Sequence, residues 1–288
     1  MKKYIYQSPH GDIPYVRMGK GISLFLILGF NSDIDKFIPL VEYLSQYFEV
    51  IMPELPGIGC KATFGGKKFV IREYANVYGN MIRDLHLSSY ILGGFCLGGI
   101  ITIEMLKKGM IPKAVLLFET FTDGSMIRPL WFQRPLLPLV RLANTNRWLR
   151  SKFSSILANR PLIERFVRIA FWNRKDLDEV VPYQTRVIMM MNAHAVIDVL
   201  NEVLTFDIFS GKKIYAWDIP TVSVCITHDP MLDMDAAYEE LTKHFSRISR
   251  VSVDFDDHAP RGPMTNAQVQ SLLHGVIPQI QKMISVKR

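Results

Sequence analysis

A cysteine with glycines two residues away on either side, Gly94-Phe95-Cys96-Leu97-Gly98, stands between the apolar run Tyr90 to Gly93 and a helical pattern that begins at Leu97. A strand turning abruptly into a helix holds its central residue in a strained backbone conformation. Side chains two positions away would strike the neighbouring strand and helix, so only small residues fit there. Such a turn lifts the Cys96 thiol above the sheet edge, where the N-terminus of the following helix favours a negatively charged sulfur. The chemistry this serves is nucleophilic attack on a carbonyl, with an acyl thioester on the protein as intermediate. A buried structural cysteine in a glycine-rich turn is the competing reading of the same five residues.

Cys60 lies in a loop and Cys225 inside an apolar strand, so neither shares that context. Three cysteines without a C-x-x-C pair predict neither a disulfide framework nor a metal cluster. His10, His86, His194, His228, His244 and His274 form no pair at metal-ligand spacing and read as surface, turn or packing residues. His194 has a second reading, because it falls in a long helical segment among Met189, Met190, Met191, Val196 and Ile197. There it either packs in a helix interface or faces a pocket and binds substrate. No cofactor is expected.

The elements that must position Cys96 follow from alternating patterns. Short apolar runs rich in β-branched and aromatic residues predict strands at Tyr4 to Gln7, Tyr15 to Met18, Ser23 to Leu28, Val50 to Met52, Tyr90 to Gly93, Ala114 to Phe118, Val222 to Thr227 and Val251 to Phe255. The first two read as a hairpin turned at His10-Gly11-Asp12. Helical spacing predicts helices over Asp35 to Phe48, Phe69 to Leu85, Leu97 to Lys108, Ala236 to His244 and Asn266 to Val286. This is an α/β class, a largely parallel sheet flanked by helices. Between Phe118 and Val222 the pattern changes to helix throughout Phe121 to Ala216, punctuated by Pro129, Pro135, Pro138, Pro161 and Pro182, with Val187 to Leu204 its longest uninterrupted segment. Residues 1–120 and 217–288 therefore read as one core, and residues 121–216 as a helical cap, or lid, over the carboxyl ends of the strands.

Taken together, these features resemble the α/β-hydrolase superfamily of the capped type. Besides the Cys96 elbow, with cysteine where most relatives carry serine, the chain has Leu28-Gly29-Phe30 after its third strand. It also has Pro53-Glu54-Leu55-Pro56-Gly57-Ile58-Gly59 after the fourth, similar to the family's P-D-L-x-G-x-G loop. The resemblance places the catalytic acid after the strand that follows the cap and the histidine after the last strand. Those positions hold Thr227-His228-Asp229-Pro230 and Asp256-Asp257-His258-Ala259, with 28 residues between Asp229 and His258, room for one helix and one strand. The implied triad is Cys96, His258 and Asp229, with Phe30 and Leu97 N–H groups as the oxyanion hole. Glu119 and Asp123, after the strand preceding the cap, and Asp233 and Asp235 are alternative acids. The sequence departs from the family where Asp257, in place of glycine, precedes the histidine, and where Leu28-Gly29 replaces His-Gly. Neither change removes a catalytic group.

The resemblance implies acyl-group chemistry, first of all ester or thioester hydrolysis. The alternatives are transfer of the acyl group to an alcohol or amine, and binding of a ligand without turnover. The form G-x-C-x-G-G, Gly94 to Gly99, is similar to dienelactone hydrolases and polyhydroxyalkanoate synthases, although the cap and length match neither group. The opening residues Met1 to Gln7 lack an apolar signal core, which predicts a cytoplasmic protein. The longest apolar run, Ile22 to Phe30, is too short to span a bilayer.

The net charge of +7 is concentrated in one place. Ser125 to Lys175 carries eleven basic residues against the single acid Glu164, so the remainder of the chain is slightly acidic. That segment, Arg147 and Arg150 included, is expected to attract an anionic carrier of the acyl substrate, coenzyme A or an acyl carrier protein. Peripheral contact with an anionic membrane is the rival, because Leu130, Trp131, Phe132, Leu136, Leu137, Trp148 and Leu149 interleave with the arginines. A merely solvated face is the third reading, and no nucleic acid is expected.

Overall fold

The computed structural model describes residues 2–210, 213–255, 257–258 and 260–285. Eight strands, β1 (Lys3–Ser8), β2 (Gly11–Met18), β3 (Ser23–Ile27), β4 (Glu49–Pro53), β5 (Tyr90–Phe95), β6 (Ala114–Phe118), β7 (Thr221–Ile226) and β8 (Ile248–Val253), make one sheet in the order β1-β2-β4-β3-β5-β6-β7-β8. From β4 to β8 all neighbours are parallel, while β1 and β2 are added antiparallel at one edge. The central strands are apolar without alternation because both faces are covered, and β3, β5, β6 and β7 are buried along their whole length. The chain runs outward from β3 to β4 and then returns to β5 on the other side of β3. The crevice at the carboxyl ends of β3 and β5 is thus the switch point where such sheets bind ligands.

The core helices are α1 (Ile38–Leu44), α2 (Ile71–Asp84), α3 (Leu97–Lys107), α9 (Met234–His244), α10 (Asn266–Leu273) and α11 (Val276–Ser285). Inserted between β6 and β7 are α4 (Leu136–Thr145), α5 (Arg147–Leu157), α6 (Arg160–Ala170), α7 (Leu177–Met190) and α8 (Ala193–Val203). Several expected elements differ. The opening hairpin turns at Pro9-His10, because Gly11, with φ +124°, already pairs with Ser8. The helix expected over Asp35 to Phe48 is a 3₁₀ turn at Ile34–Phe37 followed by the short α1, whose first turn contains Pro39. Val187 to Leu204 breaks at Asn192, whose side chain accepts the His194 N–H at 2.8 Å and starts a new helix. Pro182, expected to divide helices, lies inside α7. The C-terminal helix divides between Leu273 and Val276, and its expected end at Val286 lies outside the described residues.

Two buried glutamates and the half-buried Glu202 are expected to make the fold sensitive to pH. Glu54, in the loop after β4, gives only Oε1 to the Ile34 N–H at 2.9 Å, while Oε2 is buried without a partner among the described residues. Burial pushes its pKa up to about 8. Burial likewise raises Glu119 and Glu202 to about 7. In the unfolded chain these groups ionise near the ordinary value of 4.5, so their stabilising neutral form is fully available to the fold below that pH. Stability is lost as pH rises through their folded values. The melting temperature is expected to fall between about pH 5 and about pH 8. Glu54→Gln should flatten that fall in thermal melts, and an unchanged slope would remove Glu54 as a cause.

Candidate active site

Cys96 follows β5 directly and caps α3, with φ 49° and ψ −108°, in the left-handed region that non-glycine residues rarely occupy. Its N–H donates to the Phe118 carbonyl at 2.8 Å, which fixes the turn to β6. The neighbouring glycines are sterically required. A Cβ on Gly94 would lie 2.2 Å from the Gly98 backbone, and one on Gly98 would lie 2.2 Å from the Ile27 carbonyl oxygen. These obstacles are backbone atoms and cannot rotate away. Gly98→Ala is therefore expected to cost about 3 kcal/mol or more of stability. Denaturant unfolding checks it, and a wild-type midpoint would contradict the tight packing of the turn.

His258 comes from the loop after β8, and Asp229 from the loop after β7. The His258 Nδ1 lies 2.6 Å from Asp229 Oδ2, and both residues are buried. The other Asp229 oxygen accepts the N–H groups of Met231 at 2.7 Å and Leu232 at 2.9 Å, which locks the carboxylate in place. Cys96 and His258 line the same cavity. Burial disfavours the imidazolium, yet the Cys96 sulfur, the Asp229 carboxylate and Glu119 outweigh it and raise the His258 pKa well above the ordinary value. The three residues that the sequence singles out from distant loops are thus brought together.

Glu119, one of the alternative acids, also faces this histidine. It has φ 47° at the end of β6 and places Oε2 3.8 Å from His258 Nδ1, beyond hydrogen-bond range. Asp123 instead caps a 3₁₀ turn by accepting the Ser125 N–H at 2.6 Å. Asp233 caps α9 and pairs with Arg128, and Asp235 pairs with Arg250. Asp257 has its own work: its carboxylate pairs with Arg174, from the chain between α6 and α7, and with Arg261. An aspartate rather than glycine before His258 therefore ties the inserted helical segment to the histidine loop. Asp256 and Ala259 lie outside the described residues.

Phe30 and Leu97 sit on the two sides of Cys96, and among the described residues neither backbone N–H has an internal acceptor. A Cβ on Gly29 would lie 3.1 Å from the Phe95 carbonyl and 3.5 Å from Cys96 Cβ, so the Leu28-Gly29-Phe30 loop closes tightly on the elbow. Beside these groups is a cavity of about 40 Å³ lined by Phe30, Phe37, Phe95, Cys96, Phe255 and His258 among others. That is room for a few water molecules.

His194 is not at this cavity. It is exposed on α8, with Nδ1 3.3 Å from Arg150, and lines a separate surface cleft with Met189 and Met191. Its place at the very start of α8, which the unbroken helical pattern concealed, puts it outside both the packed interface and the pocket. The site also contains a residue that the sequence did not announce, Lys36. Its side chain is buried, with Nζ 3.5 Å from Ser32 Oγ. Burial, and then the charge of Arg261, push its pKa down to about 8, against opposing pulls from Glu119, Asp33 and Cys96. Flanked by Asp33 and Asp35 it reads as solvated, and only the 3₁₀ pitch of Ile34–Phe37 turns it inward.

No family model matches the chain. Among curated proteins it is similar to the magnesium-chelatase 30 kDa subunit of Rhodobacter capsulatus, 25% identical over 95 residues, or 33% of this chain and 34% of that protein. It is also similar to (E)-2-((N-methylformamido)methylene)succinate hydrolase of Acinetobacter baylyi, 23% identical over 136 residues, or 46% of this chain and 51% of that protein. The chain thus spans about a third to a half of the length of these curated relatives. Among solved structures it is similar to the N-acyl homoserine lactonase AidH complexed with N-butanoyl homoserine, with a TM-score of 0.71 and 16% identity, covering 100% of this chain and 99% of that one. The mostly parallel eight-stranded sheet with flanking helices is the α/β-hydrolase fold.

Proposed function

We propose that this α/β-hydrolase-fold chain hydrolyses an ester or thioester through an acyl-thioester intermediate on Cys96, with residues 121–216 as its cap. The observation that carries the reading is Asp229 bonded to His258 at 2.6 Å, with the His258 ring lining the same cavity as the sulfur at the strained elbow. In this mechanism His258 takes the thiol proton as Cys96 sulfur bonds to the acyl carbon, and the N–H groups of Phe30 and Leu97 hold the oxyanion. Collapse expels the alkoxide or thiolate, which receives the proton from His258. Water, deprotonated by the same ring, then attacks the thioester and frees the acid and the thiol. A hydrolase and a lactonase among the similar proteins agree with hydrolysis as the outcome.

Acyl transfer is the second reading, favoured by one observation: a cavity of about 40 Å³ walled mainly by apolar residues holds little water to compete with another acceptor. The test is labelling together with turnover. A thiol-directed reagent should modify Cys96 stoichiometrically, and His258→Ala should suppress that labelling along with hydrolysis of p-nitrophenyl acetate. Labelling indifferent to His258→Ala, with no turnover of esters or thioesters, would leave only ligand binding. Added alcohol or amine separates the remaining pair, since a transferase converts it to the acylated product in preference to releasing free acid.

A further inference from the structure

An ordinary surface helix buries an apolar stripe and presents polar residues to water. The inserted helices do both faces in apolar residues. On α5, Trp148, Lys152 and Ile156 follow at one-turn intervals and are all exposed, while Leu157 is buried on the other side. On α6, Leu162, Arg165 and Ile169 recur on the exposed side, opposite the buried Ile163, Val167 and Ala170. On α4, Leu139 and Leu142 are exposed opposite Val140 and Ala143. Trp131, Trp148 and Trp172 are 57%, 65% and 70% exposed. Most of the exposed large apolar side chains among the described residues fall between Trp131 and Met190. An apolar surface of this extent marks an interaction site.

The charges on the same segment select the partner. Of its eleven cations, Arg128, Arg150, Arg160 and Arg174 are held in ion pairs. Arg134, Arg141, Arg147, Lys152, Arg165, Arg168 and Lys175 are exposed and have no ion pair among the described residues. A second copy of the chain would set like charges against each other, which disfavours self-association through this face. Arg150, expected above to contribute to steering, is half-buried and already engaged: it pairs at 2.9 Å with Asp198, whose other oxygen accepts the Phe69 N–H at 3.1 Å.

We infer that the outer surface of α4 to α6, with Trp131 and Trp172, docks on an anionic lipid bilayer. Tryptophan prefers the depth of the headgroups, long cations lie over apolar surface while reaching the phosphates, and leucine and isoleucine enter the acyl boundary. The contact is peripheral, since no helix among the described residues is long and apolar enough to cross a membrane.

The experiment is co-sedimentation with vesicles of phosphatidylcholine alone or with about 30% phosphatidylglycerol, while tryptophan emission is recorded. Binding to the anionic vesicles, with a blue shift, and release as salt rises from about 0.1 to about 0.5 M are expected. Arg147→Gln with Lys152→Gln should weaken partitioning about 25-fold, roughly fivefold for each cation. Trp148→Ala with Trp172→Ala should weaken binding and reduce the shift to what Trp131 contributes, with melting unchanged because these side chains are exposed. Absence of binding to anionic vesicles overturns the inference, as does binding that ignores the tryptophan changes, which is charge adsorption alone. Turnover of an acyl-carrier-protein-linked substrate that falls in the same variants, without vesicle binding, overturns it in favour of an acidic protein carrier.

Discussion

Replacing Cys96 with alanine is expected to lower ester or thioester turnover by about 10⁴-fold or more while leaving the thermal midpoint close to that of the wild type. Alanine keeps the Cβ that the turn already accommodates at φ 49°, and the backbone bond from residue 96 to the Phe118 carbonyl does not involve the thiol. What it removes is the only atom at the elbow able to bond to an acyl carbon. Cys96→Ser should also be severely impaired, by about 10² to 10³-fold, because an alcohol proton must be removed during attack where a thiol proton is given up readily. Steady-state hydrolysis with mass spectrometry of an acylated intermediate checks both. Wild-type turnover in Cys96→Ala would end the proposed mechanism.

The second large effect separates two carboxyl groups that face one imidazole. Asp229→Asn is expected to reduce kcat by about 10³ to 10⁴-fold, because the amide loses the charge that stabilises the imidazolium and reverses the hydrogen bond that orients the ring. Glu119→Gln should reduce it by about fivefold or less. At 3.8 Å the glutamate makes no hydrogen bond to Nδ1, and with its pKa raised to about 7 it is substantially neutral in mildly acidic solution, where glutamine imitates it. The pH profile provides a sharper distinction. Ionised Glu119 helps raise the His258 pKa, so its removal should shift the histidine-dependent inflection to lower pH. If Glu119→Gln is the crippling change and Asp229→Asn is nearly silent, the acid lies after β6 and the proposed triad is wrong.

Much of this arrangement was legible in the sequence for physical reasons that can be named. Strands buried on both faces must be apolar without alternation, so β3, β5, β6 and β7 stood out within a residue or two of their ends. The elbow was legible because its glycines answer a steric demand of the backbone, now visible as Cβ positions 2.2 Å from backbone atoms. Asp229 and His258 were singled out by the resemblance, which places an acid after the strand that follows the insertion and a histidine after the last strand, and a parallel sheet delivers those strand ends to one edge. Helical boundaries inside the insertion were less so: a continuous apolar period does not reveal that Asn192 turns its side chain back to cap a new helix.

What the chain by itself determined, then, was the set of strands and the strained cysteine turn, because each rests on local backbone geometry or on burial repeated along one element, whereas the groups at the strand ends were pointed out by the resemblance. Tertiary structure alone decided which carboxylate reaches the imidazole, 2.6 Å for Asp229 against 3.8 Å for Glu119, a difference made by the packing of the loops after β6, β7 and β8. It alone buried Lys36, paired the half-buried Arg150 with Asp198, gave Asp257 its partners and left Trp148 and Trp172 in water. A residue's charge or hydrophobicity is local, but whether that property is paired, buried or exposed depends on which distant segments pack against it.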